Sequence, residues 1–124
     1  MLFKKNLHEV SFTELALVEL LQAVFDKEKC FKFRTIGLSV FPFVKNNDVV
    51  TVCPLQGTLP NLGDIVVFIH PRTKKLVVQR LIGENKDSYL IKENSVKVKY
   101  SSIPKLKILG RVEKVERNGK EVFI

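Results

Sequence analysis

Residues 64–83, DIVVFIHPRTKKLVVQRLIG, decide how this chain is read. Two short apolar runs, Ile65-Val66-Val67-Phe68-Ile69 and Leu76-Val77-Val78-Gln79-Arg80-Leu81-Ile82, stand on either side of Pro71-Arg72-Thr73. Short runs rich in Val and Ile and bounded by turn residues are strands, because branched side chains pack well on a pleated surface. Outward from this stretch lie further candidates: CFKFRTI (30–36), DVVTVCPL (48–55), DSYLIKE (87–93), KILGRVEKVER (107–117) and EVFI (121–124). In the first of them Phe31, Phe33 and Thr35 alternate with Lys32 and Arg34, the period of a half-buried strand. Pro42, Lys45 to Asp48, Gly57 to Gly63, Glu84 to Asp87 and Asn118-Gly119 punctuate the series. Asn118-Gly119 predicts a tight hairpin, since a type I′ turn needs positive φ at both central residues.

One segment has a helical period instead. In SFTELALVELLQAVFD (11–26), Phe12, Leu17, Leu20, Leu21 and Val24 form an apolar stripe, while Glu14, Glu19, Gln22 and Asp26 face away. Ser11 and Glu14 have the spacing of a capping box, and Val10 and Leu15 that of a hydrophobic staple. Six or seven short strands after one helix predict a mainly β fold. The expected architecture is a compact, partly barrel-like antiparallel β domain, residues 1–124, with the N-terminal helix packed at one end.

Composition bounds the function. A chain of 124 residues, 45% hydrophobic and 27% charged, has the balance of a globular domain and needs neither disulfide nor metal to hold a core. No stretch approaches the ~18 consecutive apolar residues of a membrane span. The start, MLFKKNLHEV, lacks the apolar run and cleavage site of a signal peptide, so a cytoplasmic protein without a transmembrane anchor is expected. In that setting Cys30 and Cys53 are expected to be two buried thiols. Their spacing is not that of a structural zinc site, and no metal or cofactor is expected.

Twenty-one Lys+Arg against thirteen Asp+Glu leave a net charge of +8, which favours an acidic partner. Lys92, Lys97, Lys99, Lys105 and Lys107 are interleaved with apolar positions, however, as on the wet faces of strands. KENSVKVKY holds no platform of aromatics and arginines on which bases would stack. Nucleic acid is therefore not the expected partner, and a basic small barrel binding it is kept only as a lesser alternative.

One series of short motifs carries chemistry. Gly37-Leu38-Ser39-Val40-Phe41-Pro42 is followed by Asn47-Asp48-Val49-Val50, by Leu62-Gly63-Asp64-Ile65-Val66, by Val77-Val78-Gln79-Arg80-Leu81 and by Lys92-Glu93-Asn94-Ser95. Ile108-Leu109-Gly110-Arg111-Val112 stands near the end. In this order the chain resembles the serine peptidases related to type I signal peptidases and to LexA-type self-cleaving repressors. Their pattern is G-x-S-M-x-P, two G-D-x-V strands, an H-R-V or K-R-V strand and a K-G-D-N-like segment. The resemblance spans about residues 31–117. It implies that Ser39 stands at the nucleophile position, Gln79 at the position of the general base, and Glu93 near that of an acidic companion. It also implies that Ser39 and Gln79 face one another across adjacent strands at the mouth of a cleft, and that a peptide is bound as an added strand beside Ser39.

The departures from the pattern bear on activity. A serine hydroxyl needs a base within hydrogen-bond reach. An amide takes up no proton in the accessible pH range, so Gln79 cannot be that base. Val40 in place of methionine keeps an apolar contact. Asn47 replaces a glycine at a turn, and Asn tolerates positive φ better than most residues. His8, His70, Lys74, Lys75 and Lys92 are the other titratable candidates, and each reads as a surface group, with Lys92 the least implausible substitute. The expected function is thus a signal-peptidase/LexA-like domain, impaired in catalysis, that binds a peptide or protein precursor in peptide processing. The alternative is an active serine endopeptidase that uses Ser39 with a non-standard base.

Overall fold

The computed structural model describes residues 14–35, 44–72, 74, 76–93 and 99–122. One helix and eight strands follow in the order α1 (Glu14–Asp26), β1 (Phe31–Arg34), β2 (Val49–Pro54), β3 (Ile65–Ile69), β4 (Leu76–Glu84), β5 (Ser88–Glu93), β6 (Lys99–Pro104), β7 (Ile108–Arg117) and β8 (Lys120–Val122). The fold is mainly β with one N-terminal helix, as the alternating runs predict. All strand pairs are antiparallel, and the sheet runs β1-β2-β7-β3-β4-β5-β6, with β8 paired to β7. β1 and β6 end this path without pairing to each other, so the sheet is open rather than a closed barrel. Phe12, Val10 and Ser11 lie outside the described residues, and so does the predicted cap.

Two apolar clusters sit on opposite faces of β3 and β4. The first joins Leu17, Val18 and Leu21 of α1 to Phe33, Val52, Val67, Val78 and Val115. The second joins Val66 and Phe68 to Leu81, Tyr89, Ile91, Ile103 and Ile108. Coverage on both faces is why residues 65–69 read as an unbroken apolar run instead of alternating. β6, KYSSIP, has no such run and was not among the predicted strands. Pairing of Tyr89 with Ile103 and Ile91 with Ser101 holds it in the sheet, and its Pro104 is tolerated at the end of an edge strand.

Three turns have the backbone their residues predict. Asn47 (φ 74°) and Gly63 (φ 94°) both adopt the left-handed conformation before an aspartate, and Asn118 and Gly119 (φ 54° and 78°) form the turn between β7 and β8. The two cysteines do not follow expectation. Cys30 and Cys53 form a disulfide, with Cα atoms 4.1 Å apart, and Cys30 is exposed. Their register explains it: β1 pairs Phe31 with Val52, and the next rung sets Cys30 against Cys53. The reading of two buried thiols is corrected, because the pair is 23 residues apart in sequence and only the β1–β2 ladder brings it together.

Candidate functional site

Gln79 lies in the middle of β4, directly opposite Val66 of β3. Directly paired residues project to the same face, so Gln79 shares the face of Val66, which belongs to the second cluster. Leu81, two residues along, packs there as well. The Gln79 side chain is 8% exposed, and among the described residues it has no hydrogen-bond partner. A buried amide without a partner loses its hydration and gains nothing in return, at a cost of about 1–3 kcal/mol. Such a residue is a poor choice for packing alone.

β5 approaches from the other side of β4 with Leu81 opposite Ile91. The β4–β5 ladder ends at this pair, two residues short of Gln79 on β4 and of Glu93 on β5. Glu93 ends β5, where its backbone pairs with Lys99.

Ser39 and the rest of residues 36–43 lie outside the described residues. The two ends of that segment are nevertheless well defined. Thr35 is completely buried; its N–H donates to the Asp48 carbonyl (2.9 Å), and its hydroxyl donates to the Lys45 carbonyl (2.7 Å). Asn47 N–H donates to the Thr35 carbonyl (3.0 Å). The Asp48 carboxylate accepts from Lys45 N–H (2.8 Å) and, on both oxygens, from Arg117 of β7 (2.9 and 2.8 Å). Those hydrogen bonds from Arg117 hold the Asp48 carboxyl below its ordinary pKa and raise the guanidinium in return. Thr35, Lys45 and Asp48 thus clasp together the described residues on either side of 36–43.

The second Gly-Asp turn repeats the device. Asp64 accepts from Asn61 N–H (2.9 Å) and lies 3.5 Å from Arg111, another arginine of β7, which also donates to Thr58 (2.7 Å). β7 thereby supplies one arginine to each aspartate turn. The importance of Arg111 and Arg117 was not visible in sequence, since only the pairing of β7 with both β2 and β3 brings them there.

β1, the strand that leads into the Ser39 segment, is separated from β4 by β2, β7 and β3. The expected placement of Ser39 opposite Gln79 falls outside the described residues. Val44, at the far end of the segment, packs in the first cluster with Leu76 and Val78 of β4. Of the substitute bases, Lys74 is exposed in the turn after β3, and His70 accepts from Arg72 N–H through Nδ1 (3.1 Å). Lys92 is exposed and pairs with exposed Tyr100, on the opposite face of β5 from Ile91. Lys92 therefore lies on the face of the sheet opposite to that of Gln79.

Comparison with known proteins is consistent with this arrangement. No curated protein and no solved structure matched the chain. A family model described as Peptidase S24-like matches residues 8–113, a span that includes the Ser39 segment, both aspartate turns, Gln79 and Glu93. The chain belongs to the Peptidase S24-like family.

Proposed function

We propose that this protein is a catalytically impaired member of its family that binds a peptide or protein precursor. The observation that carries the reading is Gln79: a buried amide with no hydrogen-bond partner among the described residues, at the position where related peptidases bear the base. An amide can orient a bound main chain by donating and accepting, but it cannot take the proton from Ser39. The wider likeness to LexA-type and signal peptidases supports Ser39 as the nucleophile position and Glu93 as the neighbour of Gln79. The adjacency of β4 and β5 in the sheet supports the second assignment.

Peptide addition along β1 fits the same reading. Among the described strands β1 pairs only with β2, and a ligand strand added on its other edge fits that pairing. Edge addition draws affinity from main-chain hydrogen bonds and leaves specificity to alternate side chains. Lys32 and Arg34 stand exposed on β1, and with the net charge of +8 they suit a peptide with acidic residues.

Amide-shift mapping with an acidic, extended peptide tests the binding half. Shifts concentrated on residues 31–35 and 44–50 are expected. Shifts concentrated on the exposed face of α1 would contradict it.

A further inference from the structure

The Cys30–Cys53 bridge occupies a place in the fold that a purely stabilising crosslink would not need. β1 has only four residues and lies at the sheet edge, where β2 alone pairs with it among the described strands. At one end of its ladder stand Thr35 and Asp48; at the other end stands the disulfide, on the rung next to Phe31 and Val52. The covalent ring that it closes contains β1, the Ser39 segment and the Asp48 turn. Phe31 and Phe33 of β1 also pack in the first cluster with Leu17, Val18 and Leu21 of α1.

The bridge is also within reach of solvent. Cys30 is exposed and Cys53 half-buried. Pro54, next to Cys53, lines an open groove of about 480 Å³ between the end of α1 and the start of β7, together with Phe25 and Leu109. Two non-glycine residues on either side of the bridge, Glu28 and Gln56, are held at positive φ (58° and 52°). The Gln56 side chain donates to the Glu28 carbonyl (3.4 Å), tying the two chain segments that the disulfide joins. Non-glycine residues in this conformation store strain that the surroundings must hold. Exposed bridges are the ones that an incoming thiolate reaches and reduces most readily.

We propose that Cys30–Cys53 is a thiol–disulfide exchange site for a dithiol, and that its reduction releases β1 from β2. The thiolate of the dithiol attacks the exposed Cys30 sulfur, and Cys53 departs as the thiolate, leaving a mixed disulfide at Cys30. The second sulfur of the dithiol attacks its own partner sulfur and expels the Cys30 thiolate. The dithiol ends as a disulfide, two electrons pass to the protein, and each cysteine takes up one proton. The consequence for peptide binding, loss of an ordered β1 edge, rests on the function proposed above. The release itself does not.

Amide hydrogen exchange on the full chain, oxidised and then reduced with dithiothreitol under native conditions, tests this. The amides of residues 31–35 and 49–52 should exchange about tenfold faster or more once the bridge is reduced. Those of β3 and β5 should not change. Cys30→Ser with Cys53→Ser should reproduce the reduced pattern with or without reductant. The reduced wild-type chain is itself the decisive sample, so the proposal does not depend on the double variant folding. Equal exchange in both forms, a bridge reducible only in denaturant, or unfolding of the whole chain on reduction would each overturn it. Peptide binding measured on the same two samples separates the claims. Faster exchange without any peptide binding in either form leaves the redox site standing and removes the binding function.

Discussion

Arg117 donates from Nε and Nη2 to the two carboxylate oxygens of Asp48, at 2.9 and 2.8 Å, and thereby joins strand β7 to the turn of Lys45 to Asp48. The carboxylate is 1% exposed, and besides Arg117 it accepts from Lys45 N–H. It is consequently both a charge partner and a turn cap. The side chain of Arg117 remains partly exposed, so one flank of the pair is in contact with water.

Acid lability follows from this pair. Hydrogen bonds from Arg117 keep the Asp48 pKa below its ordinary 3.8, so the folded chain binds that proton less readily than the unfolded chain. The resulting stability is complete above the unfolded value and is lost as pH falls through the lower folded value. Asp48→Asn should lower stability by about 2 kcal/mol at pH 7, the range for a hydrogen bond to a charged group. The gap between wild type and variant should close as pH falls from about 5 to about 2. Urea unfolding across that range checks both statements, and a gap independent of pH would show that the charge contributes nothing.

Gly110 marks a second tight contact. A Cβ at this position would meet the Cys53 carbonyl and would lie 2.7 and 2.9 Å from the Phe25 ring. The backbone oxygen cannot move without disturbing the β2–β7 ladder, where Gly110 is paired with Pro54. Gly110→Ala should therefore destabilise the chain by about 1–3 kcal/mol. Thermal unfolding measures this, and an unchanged midpoint would mean that β7 and α1 are more loosely packed than described.

Tyr89 is 1% exposed, and its hydroxyl donates to the Pro60 carbonyl at 3.2 Å, fastening the loop between β2 and β3 to the second cluster. Tyr89→Phe keeps the ring and should cost about 1 kcal/mol. Hydrogen exchange should rise locally in residues 57–63, with β5 itself unaffected. A uniform loss of protection would assign the effect to the cluster instead.

Gln79 permits a prediction of opposite sign. If its amide has no partner, Gln79→Met, similar in length and apolar, should raise stability by about 1 kcal/mol. A destabilised variant would show that the amide is hydrogen-bonded within the free protein. The measurement needs no ligand and no knowledge of the substrate.

How far the chain could be read in advance depended on the range of the interactions involved. Local signals were reliable: the α1 stripe of Leu17, Leu21 and Val24, the Asn118-Gly119 turn and the positive φ of Asn47 each depend on a few neighbouring residues. Seven of the strands were marked by branched or alternating residues. Strand β6 was not, because Lys99, Ser101, Ser102 and Pro104 have little intrinsic preference for it and its pairing with β5 supplies the cause. Long-range pairing was invisible as well. The Cys30–Cys53 rung, the two arginines of β7 and the pairing of Leu81 with Ile91 all require knowing which strands meet. At the candidate site, residue types at Ser39, Gln79 and Glu93 could be read from the chain, whereas their mutual placement could not.

The central claim, that Gln79 deprives Ser39 of a base, is tested most directly by labelling with a serine-directed acylating probe. The rate should be measured at Ser39, by peptide mapping, in the wild-type chain and in Gln79→Lys. A positioned base contributes about 10²–10⁴-fold in rate. The account predicts negligible labelling of the wild-type chain and labelling at Ser39 in the lysine variant that is at least about a hundredfold faster. Rapid labelling of wild-type Ser39, abolished by Ser39→Ala and unaffected by substitution of Gln79, would contradict it.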